Sequence, residues 1–200
     1  RGLADPDKKL LIIVGDSVYD CTKWQWNHPG GHLTVRALCG KDATDPFYNT
    51  HVAERPLKML KQYHFADLVK DDEEGDHLDE ATVAFRELTA QFKKDGWYKP
   101  DMWYYYRKIP LYASLLGAVV YGVLCSDSLL VHAFAGVGLA LFWQQMAFVG
   151  HDLGHNSVTH DRATDCDLGL IVGNLLTGIS IGWWKRSHNV HHIVTNSCEN

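Results

Sequence analysis

The sequence predicts a small α+β domain followed by an all-α membrane domain, and three observations carry that reading. Residues 1–108 are polar and charged, whereas residues 109–184 are largely apolar with a polar break at 151–167. A short apolar run, LLIIV at 10–14, opens the first part in the manner of a buried strand. The second part holds two charge-free runs, 18 residues at 109–126 and 22 residues at 129–150. Each is long enough to cross a hydrocarbon core of about 30 Å at a helical rise of about 1.5 Å per residue. The mean hydropathy of −0.20 averages these unlike halves and describes neither.

Composition narrows the function classes. The chain has 200 residues and a formal net charge of −5, so no global basic field points to nucleic acid. Twelve histidines stand against 19 lysines and arginines, a high share. The five cysteines are odd in number and lack a CxxC pair, which favours free thiols in a reducing compartment over a disulfide framework. The charged, polar start has no signal-peptide pattern. The chain begins without Met and stops at Asn200 inside a polar segment, so a piece of a longer protein or a processed start is expected.

In chain order, the strand at 10–14 is followed by the turn-like GDS and then VYD. HLTVRALCG, from His32, reads as a helix stopped by Gly40. DATDPFYNTH offers helix-capping aspartates at 42 and 45, and ERPLKMLKQY (54–63) puts Leu57 and Leu60 on one helical face. This α+β domain ends near residue 69. The acidic run KDDEEGDHLDE at 70–80 reads as a solvated linker. Asp79 to Lys94 is amphipathic, with Val83, Phe85, Leu88 and Phe92 on one side; linker and helix together fill 70–108. The aromatic cluster GWYKPDMWYYYRK then sits where a bilayer interface would favour it.

The two long apolar runs are joined only by Ser-Asp-Ser, so they predict a membrane hairpin. Arg107 and Lys108 flank one end and the short loop has no Lys or Arg, which places both ends of the hairpin in the cytosol. A third apolar stretch, LGLIVGNLLTGISIGWW at 168–184, is short and interrupted by Gly173, Asn174, Thr177, Gly178, Ser180 and Gly182.

Two groups of histidines carry chemistry. In HPGG (28–31), Pro29 fixes φ and the glycines permit a tight turn, so His28 can project from a loop into a cleft. Its surroundings, VYDCTKWQWNHPGGHLTVRALCGKDATDPFYNTH, resemble the cytochrome b5 haem-binding domain over roughly residues 9–69. The resemblance implies haem b held by His28 and His51, six-coordinate and suited to electron transfer. His64 is a weaker competitor for the second ligand, His32 reads as surface, and Phe47 reads as pocket packing.

The second group is HDLGH (151–155) and HNVHH (188–192). His151 and His155 are spaced i, i+4, and His188 meets His191 and His192 at i+3 and i+4, so each cluster shares a helix face. Five imidazoles in this spacing suit iron, zinc or copper. A zinc-protease reading of HDLGH fails on Asp152, which stands where a Glu base is needed, and on the surplus of histidines. The forms H-x₃-H and H-x₂-HH resemble the histidine boxes of membrane fatty-acyl and sphingolipid desaturases. With the b5-like start, the match is to the front-end desaturases, nearest in appearance to sphingolipid Δ8 desaturases. The resemblance implies His151, His155, His188, His191 and His192 as catalytic ligands of two non-haem iron ions. The family's third box, Q-x-x-HH, is absent here, so residues 109–200 are expected to form only the first part of the desaturase domain and to be inactive alone.

Both boxes must reach one centre. A single crossing by residues 168–184 would put His188 about 30 Å from His151, on the other face of the bilayer. The third stretch is therefore expected to be interfacial or re-entrant, with Trp183 and Trp184 as an interfacial anchor. The resemblance implies an O₂-dependent enzyme of the endoplasmic reticulum membrane with haem domain and boxes cytosolic. An NADH-cytochrome b5 reductase would be its electron donor, and a C=C bond would be placed in a ceramide long-chain base. The competing readings are a Δ6/Δ5-type fatty acid desaturase, a lipid hydroxylase, and a membrane-anchored electron carrier.

Overall fold

The structure, a computed structural model, describes residues 9–51, 54–69 and 78–195. Most of the acidic linker expected at 70–80 lies outside them. The chain divides into two compact units, one of residues 1–99 with 186–200, the other of residues 100–185.

In the first unit, strands β1 (Leu11–Val14) and β2 (Ser17–Asp20) form an antiparallel hairpin turned at Gly15, whose φ of +63° is one that glycine adopts without strain. β3 (His64–Asp67) pairs antiparallel with β2, giving the order β1-β2-β3. The sequence reading assigned no strand there. Within the continuous apolar run, Ile12 and Val14 are buried while Leu11 and Ile13 are half-buried, so the pleat selects the core face. Three short helices pack beside the sheet: α1 (His32–Ala37), α2 (Thr44–Thr50) and α3 (Glu54–Leu60). Leu10, Ile12, Val14, Tyr19, Cys21, Val35, Ala43 and Leu60 make the core.

Helix α4 (Glu80–Asp95) begins where Asp79 accepts a hydrogen bond from the Thr82 amide and ends at Gly96 in the left-handed region. Its expected apolar stripe is not covered: Val83, Phe85, Leu88 and Phe92 are all exposed. Arg86 instead ties the helix to α2 by donating to both oxygens of Asp45, at 2.7 and 3.1 Å. Of the two aspartates expected to cap, Asp42 accepts from the amide of Thr44, the first residue of α2, at 2.8 Å, and Asp45 lies in the first turn.

In the second unit, a short α5 (Met102–Tyr106) leads into α6 (Ile109–Cys125), and α7 (Leu129–Gly154) returns after a three-residue turn. Met102–Cys125 and Leu129–Gly154 are long and apolar enough to cross a membrane. They pack closely through small residues: Gly122 leaves room for Val131 and Gly138 for Val119. His132 lies near the start of α7, with Nε2 2.6 Å from the Ser126 carbonyl.

Helix α8 (Arg162–Gly169) continues into a wide π-helical segment, Leu170–Thr177, which stops at Gly178 with φ +73°. Beyond it, α9 (Ile181–Ile193) runs off at 107°. The polar residues that interrupt the third apolar stretch build this bend. The Ile179 amide donates to the Gly173 carbonyl at 2.9 Å, and Asn174 Oδ1 accepts from the Ile181 amide at 3.1 Å. A side chain at position 173 would collide with the Ile179 carbonyl, only 2.9 Å from the place of its Cβ.

Candidate functional site

In the first unit, an apolar cleft opens between α1, α2 and α3, lined by residues including Val35, Leu38, Phe47, Met59 and Leu60. His28 enters it from the end of a single 3₁₀ turn, Trp24–Asn27, where extended backbone breaks the turn. Its Nδ1–H donates to the Gly31 carbonyl at 3.1 Å, which puts the lone pair on Nε2, the nitrogen that could ligate a metal. Thr34, buried in α1, donates its hydroxyl to the same carbonyl at 2.7 Å and fixes the acceptor. Gly31 itself has φ +93°, and a Cβ at Gly30 would lie 2.9 Å from His28 Cε1. Both glycines of HPGG are therefore required by geometry: one by its backbone, the other by the ring it must clear.

His51 approaches from the C-terminus of α2, and its Nδ1–H donates to the Phe47 carbonyl at 2.9 Å. Burial holds its imidazole below the ordinary value, which keeps it in the neutral, ligating form. The rings of His28 and His51 stand edge-on across the cleft, with centroids 6.0 Å apart and planes at 67°. Two metal–nitrogen bonds of about 2 Å, plus about 1 Å from each nitrogen to its ring centre, span that distance. The cleft thus fits a planar, apolar macrocycle with one metal between two imidazoles. His64 is elsewhere: exposed on β3, with Nε2 2.7 Å from Asp67 Oδ1. His32 packs against Trp26, and Phe47 lies tilted against His51 at 4.6 Å between centroids.

In the second unit, His151 and His155 end α7 one turn apart, with ring centroids 4.5 Å apart. Trp184, from the first turn of α9, sits edge-on to both, at 5.2 and 5.3 Å. It is half-buried, whereas Trp183 is 64% exposed, so only Trp183 has the exposure of an interfacial anchor. Trp184 instead lies over Gly154, where any side chain would strike its ring. The sequence held a signal for this in the glycine of HDLGH, and its partner 30 residues on was unreadable.

His151 Nδ1 lies 3.3 Å from Asp152 Oδ1, and the Tyr105 hydroxyl donates to Asp152 Oδ2 at 2.9 Å. The loop after the pair is held by Asp165, fully buried, whose carboxylate accepts from the Thr159 amide at 3.0 Å and hydroxyl at 2.7 Å. His160 sits in this loop, exposed.

On α9, the rings of His188 and His192 are 4.6 Å apart and their Nε2 atoms 2.9 Å apart, two nitrogens converging on one point. His191 stands further off, with centroids 5.8 Å from each. Paired imidazoles of this kind are donors that suit iron, zinc or copper.

Residues 3–69 match the family described as Cytochrome b5-like Heme/Steroid binding domain, and residues 127–199 match Fatty acid desaturase. The chain joins a cytochrome b5-like domain to a fatty acid desaturase domain. It is 37% identical over 193 residues to "Delta(8)-fatty-acid desaturase 2" of Arabidopsis thaliana, covering 95% of this chain and 41% of that relative. It is 35% identical to "Acyl-lipid (9-3)-desaturase" of Borago officinalis, over 98% of this chain and 42% of that one. "Delta 8-(E)-sphingolipid desaturase" of Komagataella phaffii is 36% identical over 58% of this chain and 20% of its own length. The chain thus spans about two-fifths of the length of the first two relatives. The cleft of His28 and His51 lies inside the cytochrome b5-like match, and both pairs of converging histidines lie inside the desaturase match. Haem in the first domain and iron in the second are what these families imply, and two spanning helices put the desaturase domain in a membrane.

Proposed function

We propose that this chain belongs to an O₂-dependent lipid desaturase that places a C=C bond in a long lipid chain, at Δ8 of a sphingoid base. The observation that carries the proposal is the pairing of histidines in both domains: His28 with His51 across an apolar cleft, and two converging pairs at the ends of α7 and on α9. Haem supplies one-electron transfer when bound, and two irons supply O₂ chemistry at an unactivated C–H bond. In the balanced reaction the lipid gives up two hydrogens, O₂ becomes two waters, and the donor side adds two electrons and two protons.

The chain's own residues bind and orient. His28 and His51 hold the haem. His151, His155, His188, His191 and His192 hold the irons. In this reading both histidine boxes serve one centre, and Trp184 packs edge-on against His151 and His155.

Electrons come from a cytosolic NADH-cytochrome b5 reductase, and the membrane is that of the endoplasmic reticulum. Arg107 and Lys108 beside the first span, with a Ser-Asp-Ser turn free of Lys and Arg, support cytosolic ends. The 107° bend between Thr177 and Ile181 supports a re-entrant course for 168–184.

The Δ8 position is supported by the names of the Arabidopsis and Komagataella relatives, and the sphingoid substrate by that of the Komagataella one alone of these two. The Borago acyl-lipid relative supports the second reading, a front-end fatty acid desaturase. Lipid analysis of cells expressing the full-length protein decides between them: new Δ8 long-chain bases support the first, new polyunsaturated acyl chains the second. His188→Ala and His191→Ala should stop product formation and leave the haem spectrum unchanged. Activity retained in both variants would remove the iron-ligand reading.

A further inference from the structure

Asp152 is the one acidic residue inside the first histidine cluster, and both its carboxylate oxygens are engaged. Tyr105, 47 residues earlier at the end of α5, donates its hydroxyl to Oδ2 at 2.9 Å. Oδ1 lies 3.3 Å from His151 Nδ1. A carboxylate only accepts, so this arrangement puts the His151 proton on Nδ1 and the lone pair on Nε2. An imidazole with the opposite tautomer has no lone pair at Nε2 and cannot ligate through it.

We propose that Tyr105 and Asp152 form a positioning relay that sets the tautomer and ring orientation of His151 for iron. The inference rests on the proposed role of His151 as a ligand. It explains why the residue after His151 is an aspartate. The short side chain reaches back to the adjacent ring and leaves the second oxygen for a phenol, whereas a glutamate would extend one methylene further. It also gives the aromatic segment at the start of the first span a task beyond the bilayer interface: Tyr105 fixes the carboxylate, and the carboxylate fixes the ring. Outer groups of this kind raise ligand basicity and commonly contribute 10–100-fold to metal affinity.

The test is iron affinity rather than turnover. Full-length protein in detergent is loaded anaerobically with ferrous iron and titrated with a competing chelator. Asp152→Asn keeps the size and a partner for Tyr105 but removes the charge; iron affinity should fall about 10–100-fold. Tyr105→Phe should fall in the same direction by a smaller factor, and Asp152→Glu should recover part of the loss. A merely structural role would lower the melting temperature and spare the affinity of the folded fraction. Equal iron affinity in wild type, Asp152→Asn and Tyr105→Phe overturns the relay while the iron reading stands. A wild-type protein that takes up no iron overturns both.

Discussion

A Cβ on Gly154 would lie 2.6 Å from Trp184 Cε3 and closer still to Cζ3. The glycine between the histidines of HDLGH is therefore the floor on which the Trp184 ring rests, and that ring spaces His151 and His155 from the side. Gly154→Ala must push Trp184 off the pair. Such overpacking costs about 1–3 kcal/mol. Thermal unfolding and tryptophan fluorescence should both register the change, and an unshifted melting temperature would show that the ring has room to move.

Haem binding should need both imidazoles. His28→Ala and His51→Ala are each expected to abolish the bis-imidazole Soret spectrum. His64→Ala, which removes only a surface contact to Asp67, should leave it intact. An unchanged spectrum in His51→Ala would reassign the second ligand.

Gly30→Ala is a sharper version of the same test, because it removes no ligand. The new methyl would meet His28 Cε1 at 2.9 Å and rotate the ring away from its Gly31 acceptor. Haem affinity should drop while the far-UV circular dichroism of the apoprotein stays as it was.

Cys21 gives a pH-dependent prediction. The thiol is buried beside the cleft, and burial pushes it up to about 11 from its ordinary 9.0, with the Asp20 carboxylate adding to the rise. The folded state favours the neutral thiol. The stability this contributes is complete below pH 9.0 and is lost as pH rises through about 11. Urea unfolding between those limits should show the loss, and Cys21→Ser should flatten it. At neutral pH, alkylation of buried Cys21 should be far slower in the folded protein than in the urea-unfolded one.

Membrane orientation can be read by glycosylation. An acceptor site introduced near residue 164, in the segment between the two histidine clusters, should stay unmodified in microsomes. Modification would place that segment in the lumen and invert the proposed topology.

Local spacing made much of this protein legible. The i, i+4 interval of His151 and His155 brings their rings together on any helix, and HPGG announces a turn wherever it occurs. The amphipathic pattern of α4 foretold a helix correctly, but not the exposure of its apolar stripe, because burial depends on what lies opposite. β3 was missed since HFAD carries no alternation; it is a strand because β2 offers it a free edge. The interruptions at Gly173 and Asn174 were read as unfit for a lipid-facing helix. What they build, a hydrogen-bonded bend, emerged only with the backbone path.

The sequence by itself determined the two domains, the spans and the histidines, since each depends on residue types a few positions apart along one strand or helix. Tertiary structure alone decided the partners of those histidines: Trp184 over Gly154, Tyr105 on Asp152, His51 facing His28. Contacts between residues 23 to 47 positions apart depend on how chain segments pack, and side-chain periodicity carries no information across that distance.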